Sequence, residues 1–214
     1  LLSYDGLVQD ITERKQAEAV LVARTLQLEA VRAVTTEIIR ELDLPTLLQL
    51  ITRRATELVR AEGGAIHLWD EEAQILIPQA WHGKAEWRKE VRRRLGEGVI
   101  GTVAQRRQGM GVDDYRSSPY ANPLTLQRHG ITAVLAEPLV YRDRLLGVIG
   151  VDNEGSGRAF SEQDHEVLGL FAAQAAIAIE NARLFAELND SYRNLQEAQD
   201  ELIRSEKLRA IGQM

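Results

Sequence analysis

The glycines of the stretch Gly96-Glu97-Gly98-Val99-Ile100-Gly101 have the spacing G-x-G-x-x-G. That spacing can turn a strand into a helix around a dinucleotide pyrophosphate. The turn works only behind a buried parallel strand, which aims the glycines at the helix N-terminus. Here the ten residues Glu86 to Leu95 carry five cations, Arg88, Lys89, Arg92, Arg93 and Arg94, and such a segment cannot be covered on both faces. Asp113 stands near where a ribose-binding acid would fall, so the dinucleotide reading is kept as the lesser alternative. In the other reading Gly96 and Gly98 make a tight turn, and Gly101 lets a short helix approach a sheet closely.

Little else in the chain suggests covalent or metal chemistry. It has no cysteine, which excludes disulfides, thiolate sites and any cysteine-linked chromophore within these residues. The four histidines, His67, His82, His129 and His165, are scattered, and haem ligation through His82 or His129 lacks a matched partner. No acid pair, Ser–His pairing or metal spacing stands out, so the 214 residues read as non-catalytic, and no cofactor is specified. The net charge of −6, with Lys and Arg dispersed among acids, predicts no nucleic-acid partner. The run Arg92-Arg93-Arg94 reads as a solvated helix face. No apolar run approaches the ~18 residues needed to span a bilayer, so no membrane insertion is expected, and a cysteine-free chain suits a cytoplasmic setting. The sequence starts without Met and in mid-pattern, which reads as a piece of a longer chain.

The elements that would position a site fall in three zones. From Thr12 to Leu42, apolar or small residues recur at Ala17, Leu21, Leu28, Val31, Thr35, Ile38 and Leu42, with Arg24 the exception; this is a coiled-coil seam. Pro45 opens a second helix that should stop at Gly63-Gly64. The middle zone predicts a hairpin (65–70 with 74–82), a charged helix (84–94), a short helix from the glycines, a short strand ending in Asp113-Asp114, a loop, and a second hairpin around Arg142-Asp143. Ser161, with Asp164 three residues on, should cap a long helix. That helix is apolar on most sides at first. Beyond Phe185 it thins to Leu188, Leu195 and Leu202, with Ser191, Ala198 and Ser205 between, a polar heptad rod whose natural partner is a second copy. The fold class is α+β, a central antiparallel sheet with helices packed on one face, flanked by long coiled-coil helices.

The ordered motifs "GEGVIG", "SPYANP", "AVLAEPL", "LLGVIGVDN", "FSEQD" and "AAIAIENA" together resemble a GAF domain. "GLVQDITERKQAE" resembles the last strand and exit helix of a PAS domain, and "SEKLRAIGQM" the start of the dimerisation helix of a sensor histidine kinase. The resemblance implies a PAS remnant over 1–11, a linker helix over 12–43, a GAF domain over 44–185 and a signalling helix over 186–214. It implies a sensory module relaying an upstream or small-ligand signal to PAS and kinase domains of the same chain, or alternatively a structural dimerising spacer.

From the same resemblance, a ligand cavity would draw on Trp81, Met110, Asp113, Tyr120, Leu124 and Ala136. A parallel homodimer would use Leu21, Leu28, Val31, Ile38, Leu184, Leu188, Leu195 and Leu202. Of the Asn-Lys…Phe…Asp-Glu signature of cyclic-nucleotide GAF domains, Asn153, Phe160 and Asp164 are present. Glu154 replaces the lysine and His165 the glutamate, so Glu154 should repel Asp164 and a cyclic nucleotide is disfavoured.

Overall fold

The computed structural model describes residues 35–83, 91–122, 130–155 and 157–211, together with Thr125 and separate positions between 14 and 32. The expectations for residues 1–11, Leu21, Leu28, Leu124, His129 and most of the charged helix lie outside the described residues. The elements in chain order are α1 (Leu44–Leu58), β1 (Gly63–Asp70), β2 (Ile75–His82), α2 (Gly98–Arg106), β3 (Met110–Val112), β4 (Ala133–Tyr141), β5 (Arg144–Asn153) and α3 (Glu162–Ile211). The strands form one antiparallel sheet in the order β2-β1-β5-β4-β3.

Both hairpins form where turn chemistry places them. Arg142 and Asp143 both take positive φ, 45° and 65°, as a two-residue loop whose twist matches its strands requires. β5 is central and covered on both faces, so nine of its ten residues are buried.

One face of the sheet carries the larger core. α1 lays Leu47, Leu48, Ile51 and Ala55 on it, and α3 adds Leu168, Phe171, Ala172, Ala175, Ala176 and Ile179. The α3 residues follow the 3.6-residue period, and their alanines let the helix sit close to the strands. Ser161 caps α3 as expected: its Oγ accepts from Asp164 N at 3.2 Å, and Asp164 Oδ2 accepts from Ser161 N at 2.8 Å. Contrary to the expectation from sequence, one 18-residue window of α3 is apolar enough to cross a membrane. Of that window 56% is buried within the fold, the pattern of a core helix.

Three expectations change. α1 ends at Leu58, before the glycines: Arg60 takes φ 51° and Ala61 N donates to Thr56 O at 2.9 Å, closing the helix without glycine. Gly64 instead serves packing, since a Cβ there would stand 2.9 Å from Thr56 Cγ2 and 3.0 Å from Gly150 O.

The second change concerns residues 91–94, the described end of the expected charged helix, which are extended. Arg93 bridges Leu76, with N–H···O distances of 2.7 and 3.1 Å.

Third, Val31 and Ile38, expected in a dimer seam, are 7% and 0% exposed and join the core with α1 and α3. A seam residue and a core residue have the same apolar character in sequence. Here the chain's own helices cover the position.

Candidate functional site

The opposite face of the sheet is roofed by α2 and the 113–122 loop over a smaller core that includes Leu76, Val99, Val103, Tyr115, Val134 and Val148. Between roof and sheet lies a cavity of about 70 Å³. Its floor is Ala65 and His67 of β1, Val134 of β4, and Gly150 and Asp152 of β5; its roof is Gly98, Val99 and Ile100; Val91, Arg93, Tyr115, Thr125 and Ile131 close the sides. The floor is open because small residues meet there. Ala65 pairs with Gly150, and a Cβ on Gly150 would stand 2.7 Å from Ile100 Cδ1.

The glycines that opened the sequence analysis shape this roof. Gly96 and Gly98 take φ 79° and 63°, the tight turn expected, and no L side chain adopts this comfortably. Gly101 differs from its expectation. A Cβ there would collide with the Arg94 carbonyl rather than with the sheet, so this glycine folds α2 against its own leading turn. No described strand pairing is parallel, and the segment before α2 is a bridging loop, which removes the geometry a dinucleotide turn needs.

Arg93, expected on a solvated helix face, instead lines the cavity, as does Asp152. The Arg93 side chain is 11% exposed, while Arg92 and Arg94 are exposed. An extended backbone alternates its side chains, so the bridge to Leu76 turns Arg93 inward and its two neighbours outward. Nη2 donates to Thr125 Oγ1 at 3.4 Å and Nη1 to Arg92 O at 3.2 Å, and Glu97, itself 43% exposed, lies 3.6 Å away. Burial lowers the pKa of the guanidinium, partly offset by the Glu97 charge; an arginine remains charged regardless.

The predicted ligand residues form a second ring rather than the wall. Trp81 pairs across the strands with the wall residue Ala65, Ala136 with the wall residue Gly150, and Met110 with Ala136. The Tyr120 carbonyl packs on Gly98. Asp113 is exposed and away from the cavity.

Two side chains fix the 113–122 loop from within. Asp114 caps the loop, accepting from Ser117 Oγ at 2.5 Å, which holds its carboxyl below the usual range. Tyr115 pins it, its hydroxyl accepting from Asn122 N at 3.0 Å.

Asp164, where repulsion from Glu154 was expected, has a cation as its partner. Arg158 Nη2 pairs with Asp164 Oδ2 at 2.8 Å, and Arg158 Nη1 donates to Val59 O and Arg60 O at 2.9 and 3.0 Å. Asn153 Nδ2 holds the Arg158 carbonyl at 2.8 Å, and its Oδ1 accepts from Glu62 N at 3.2 Å. One guanidinium thus ties the end of α1 to the start of α3. This cation lies between the motif positions Asn153 and Asp164 and is not itself one of them.

Residues 41–180 match the family described as GAF domain, and the chain belongs to that family. Among curated proteins it is 26% identical over 109 residues to a probable 3′,5′-cyclic phosphodiesterase, pde-5, of Caenorhabditis elegans, covering 50% of this chain and 15% of that protein. It is 37% identical over 57 residues to hybrid signal transduction histidine kinase G of Dictyostelium discoideum, covering 27% of this chain and 2% of that one. The chain therefore spans a small part of the relatives it matches. Among solved structures, the GAF domain of a phosphoenolpyruvate-protein phosphotransferase from Coxiella burnetii superposes with a TM-score of 0.67 at 22% identity, over 75% of this chain and 96% of that one. Free methionine-R-sulfoxide reductase of Neisseria meningitidis, in complex with its substrate, gives 0.64 at 20% identity, over 75% and 92%. These likenesses are of fold. The chain is a GAF-type signalling domain with a five-stranded sheet and a long C-terminal helix.

Proposed function

We propose that this domain is the sensory relay of a two-component histidine kinase, cytoplasmic and itself non-catalytic, preceded by a PAS domain and followed by the kinase dimerisation helix. The observation that carries this reading is the placement of the helices. α1 and α3 pack together on one sheet face, and the cavity lies on the other, separated from them by the strands. A small ligand, or a signal arriving from the PAS side, would shift the sheet, and the helices would follow.

Beyond Ala182, α3 leaves the globule as a rod, and Leu184, Leu188, Leu195 and Leu202 are 50%, 66%, 56% and 66% exposed on it. At 1.5 Å per residue the 50-residue helix is about 75 Å long. Such a rod with an unpartnered leucine stripe calls for a parallel second copy. The "SEKLRAIGQM" resemblance and the histidine kinase among the relatives favour a kinase over the phosphodiesterase context.

The test replaces Leu188, Leu195 and Leu202 by Asp and measures mass by multi-angle light scattering. A dimer that becomes a monomer supports the relay. A mass equal to that of the unaltered chain refutes an α3 interface.

A further inference from the structure

We propose that the cavity takes a small monoanion of a few heavy atoms, a short carboxylate or a planar oxyanion, held by the Arg93 guanidinium with Thr125; this rests on the reading of the cavity as the sensory site. Size is the first argument. A water needs roughly 10–15 Å³ of such cavity space, so about 70 Å³ accommodates a ligand of roughly five heavy atoms. A ligand pocket for a drug-sized molecule is typically about 300–1,000 Å³, so a cyclic nucleotide does not fit.

Charge is the second argument. A guanidinium has five N–H donors. Among the described residues Arg93 uses them in two long hydrogen bonds, 3.2 and 3.4 Å, and a 3.6 Å ion pair to an exposed carboxylate. A side chain 11% exposed with donors to spare is matched by a carboxylate, which takes a bidentate fork.

The roof contributes in the same sense. The first turn of α2, Gly98 to Ile100, lines the cavity, and the Glu97 side chain makes no capping bond to it. The first amides of a helix have no intrahelical acceptor. On the floor, Asp152 also faces the cavity. Its carboxyl group disfavours a dianion such as phosphate and limits the ligand to one negative charge, while Val99, Ile131 and Val134 accept a methyl-sized remainder.

The test uses the 214-residue chain at constant ionic strength set with chloride. Thermal unfolding is followed while acetate, formate, nitrate and acetamide are titrated separately. Acetate in tenfold excess over its dissociation constant should raise the melting temperature by roughly 3–5 °C, saturably, and the neutral isostere acetamide should not. Arg93→Gln should weaken acetate at least tenfold, Arg93→Lys less, and Thr125→Val, which preserves shape, several-fold. The Thr125 variant keeps the test decisive if Arg93→Gln fails to fold.

Saturable binding of acetamide with indifference to Arg93 would overturn the anion chemistry and leave a sensory cavity of another specificity. No saturable shift with acetate, formate or nitrate would also overturn the proposal. In either case the light-scattering result on α3 judges the relay separately.

Discussion

Glu137 offers a test of how this fold handles a charge at the junction of the sheet and α3. Its carboxyl group, from β4, is half-buried on the face that α3 covers, close against Gly109 and Gly169, and the His165 ring of α3 lies against Gly111 two residues along the same edge. Burial pushes the carboxyl up from 4.5 to about 7, because a low-dielectric setting penalises the charged form.

The folded protein therefore binds this proton more tightly than the unfolded chain. The sign follows: Glu137 costs nothing below its unfolded value, stability falls as pH rises from about 4.5 to 7, and the loss is complete above that window. At 1.36 kcal/mol per unit the ceiling is about 3 kcal/mol. Partial exposure screens the charge, which leaves roughly 1–2 kcal/mol.

Glu137→Gln removes the charge and keeps the shape. It should be more stable than the unaltered chain by that amount at pH 8.5, and the difference should shrink toward zero by pH 5. In urea, with a slope of about 2–3 kcal/mol/M, the midpoint should rise by roughly 0.4–0.8 M at pH 8.5. The difference between the two proteins is the readout, since other groups titrate in both, and repeating it in a His165→Asn background isolates the neighbouring imidazole. A midpoint difference that is the same at both pH values, or a destabilised Gln variant at pH 8.5, would refute the reasoning.

Other outcomes follow from the same contacts. Arg158→Ala removes three hydrogen bonds that join α1 to α3, one of them to Asp164, and should cost about 1–3 kcal/mol; hydrogen exchange at Ala61 should accelerate with it. If Asp164 alone holds the junction, exchange at Ala61 will stay as it was. Ile38→Ala empties a site with 0% exposure and should destabilise by about 2–4 kcal/mol. Because Ile38 is buried within one chain, this loss should not change over a hundredfold range of protein concentration, whereas a seam residue would lose concentration dependence.

Much of the architecture was legible because local chemistry and pattern agree. Arg142 and Asp143 suit a tight turn between two apolar runs, Ser161 and Asp164 cap reciprocally, and α3 shows a helical stripe that ends where the globule ends. The site was less legible. Ala65 and Gly150 line the cavity through smallness, and a small residue in a strand has no signature of its own. The ring of candidates, Trp81, Met110, Tyr120 and Ala136, sits one position out because sequence indicates the region, and the cross-strand register decides which neighbour faces in.

What the sequence by itself determined is therefore the GAF-like order of elements, the absence of thiol chemistry and the leucine stripe of α3. Periodicity, capping and composition act over a few residues and need no partner from elsewhere in the chain. What only the tertiary structure decided is burial. Arg93 lies within a run of three arginines that reads as a solvated face, yet a single bridge to Leu76 makes the segment extended and turns the middle one toward the cavity. Ile38 reads as a seam, yet α1 and α3 close over it. Such assignments depend on contacts between residues distant in sequence, and the free energy of burying a charge or an apolar side chain is set only when those partners arrive.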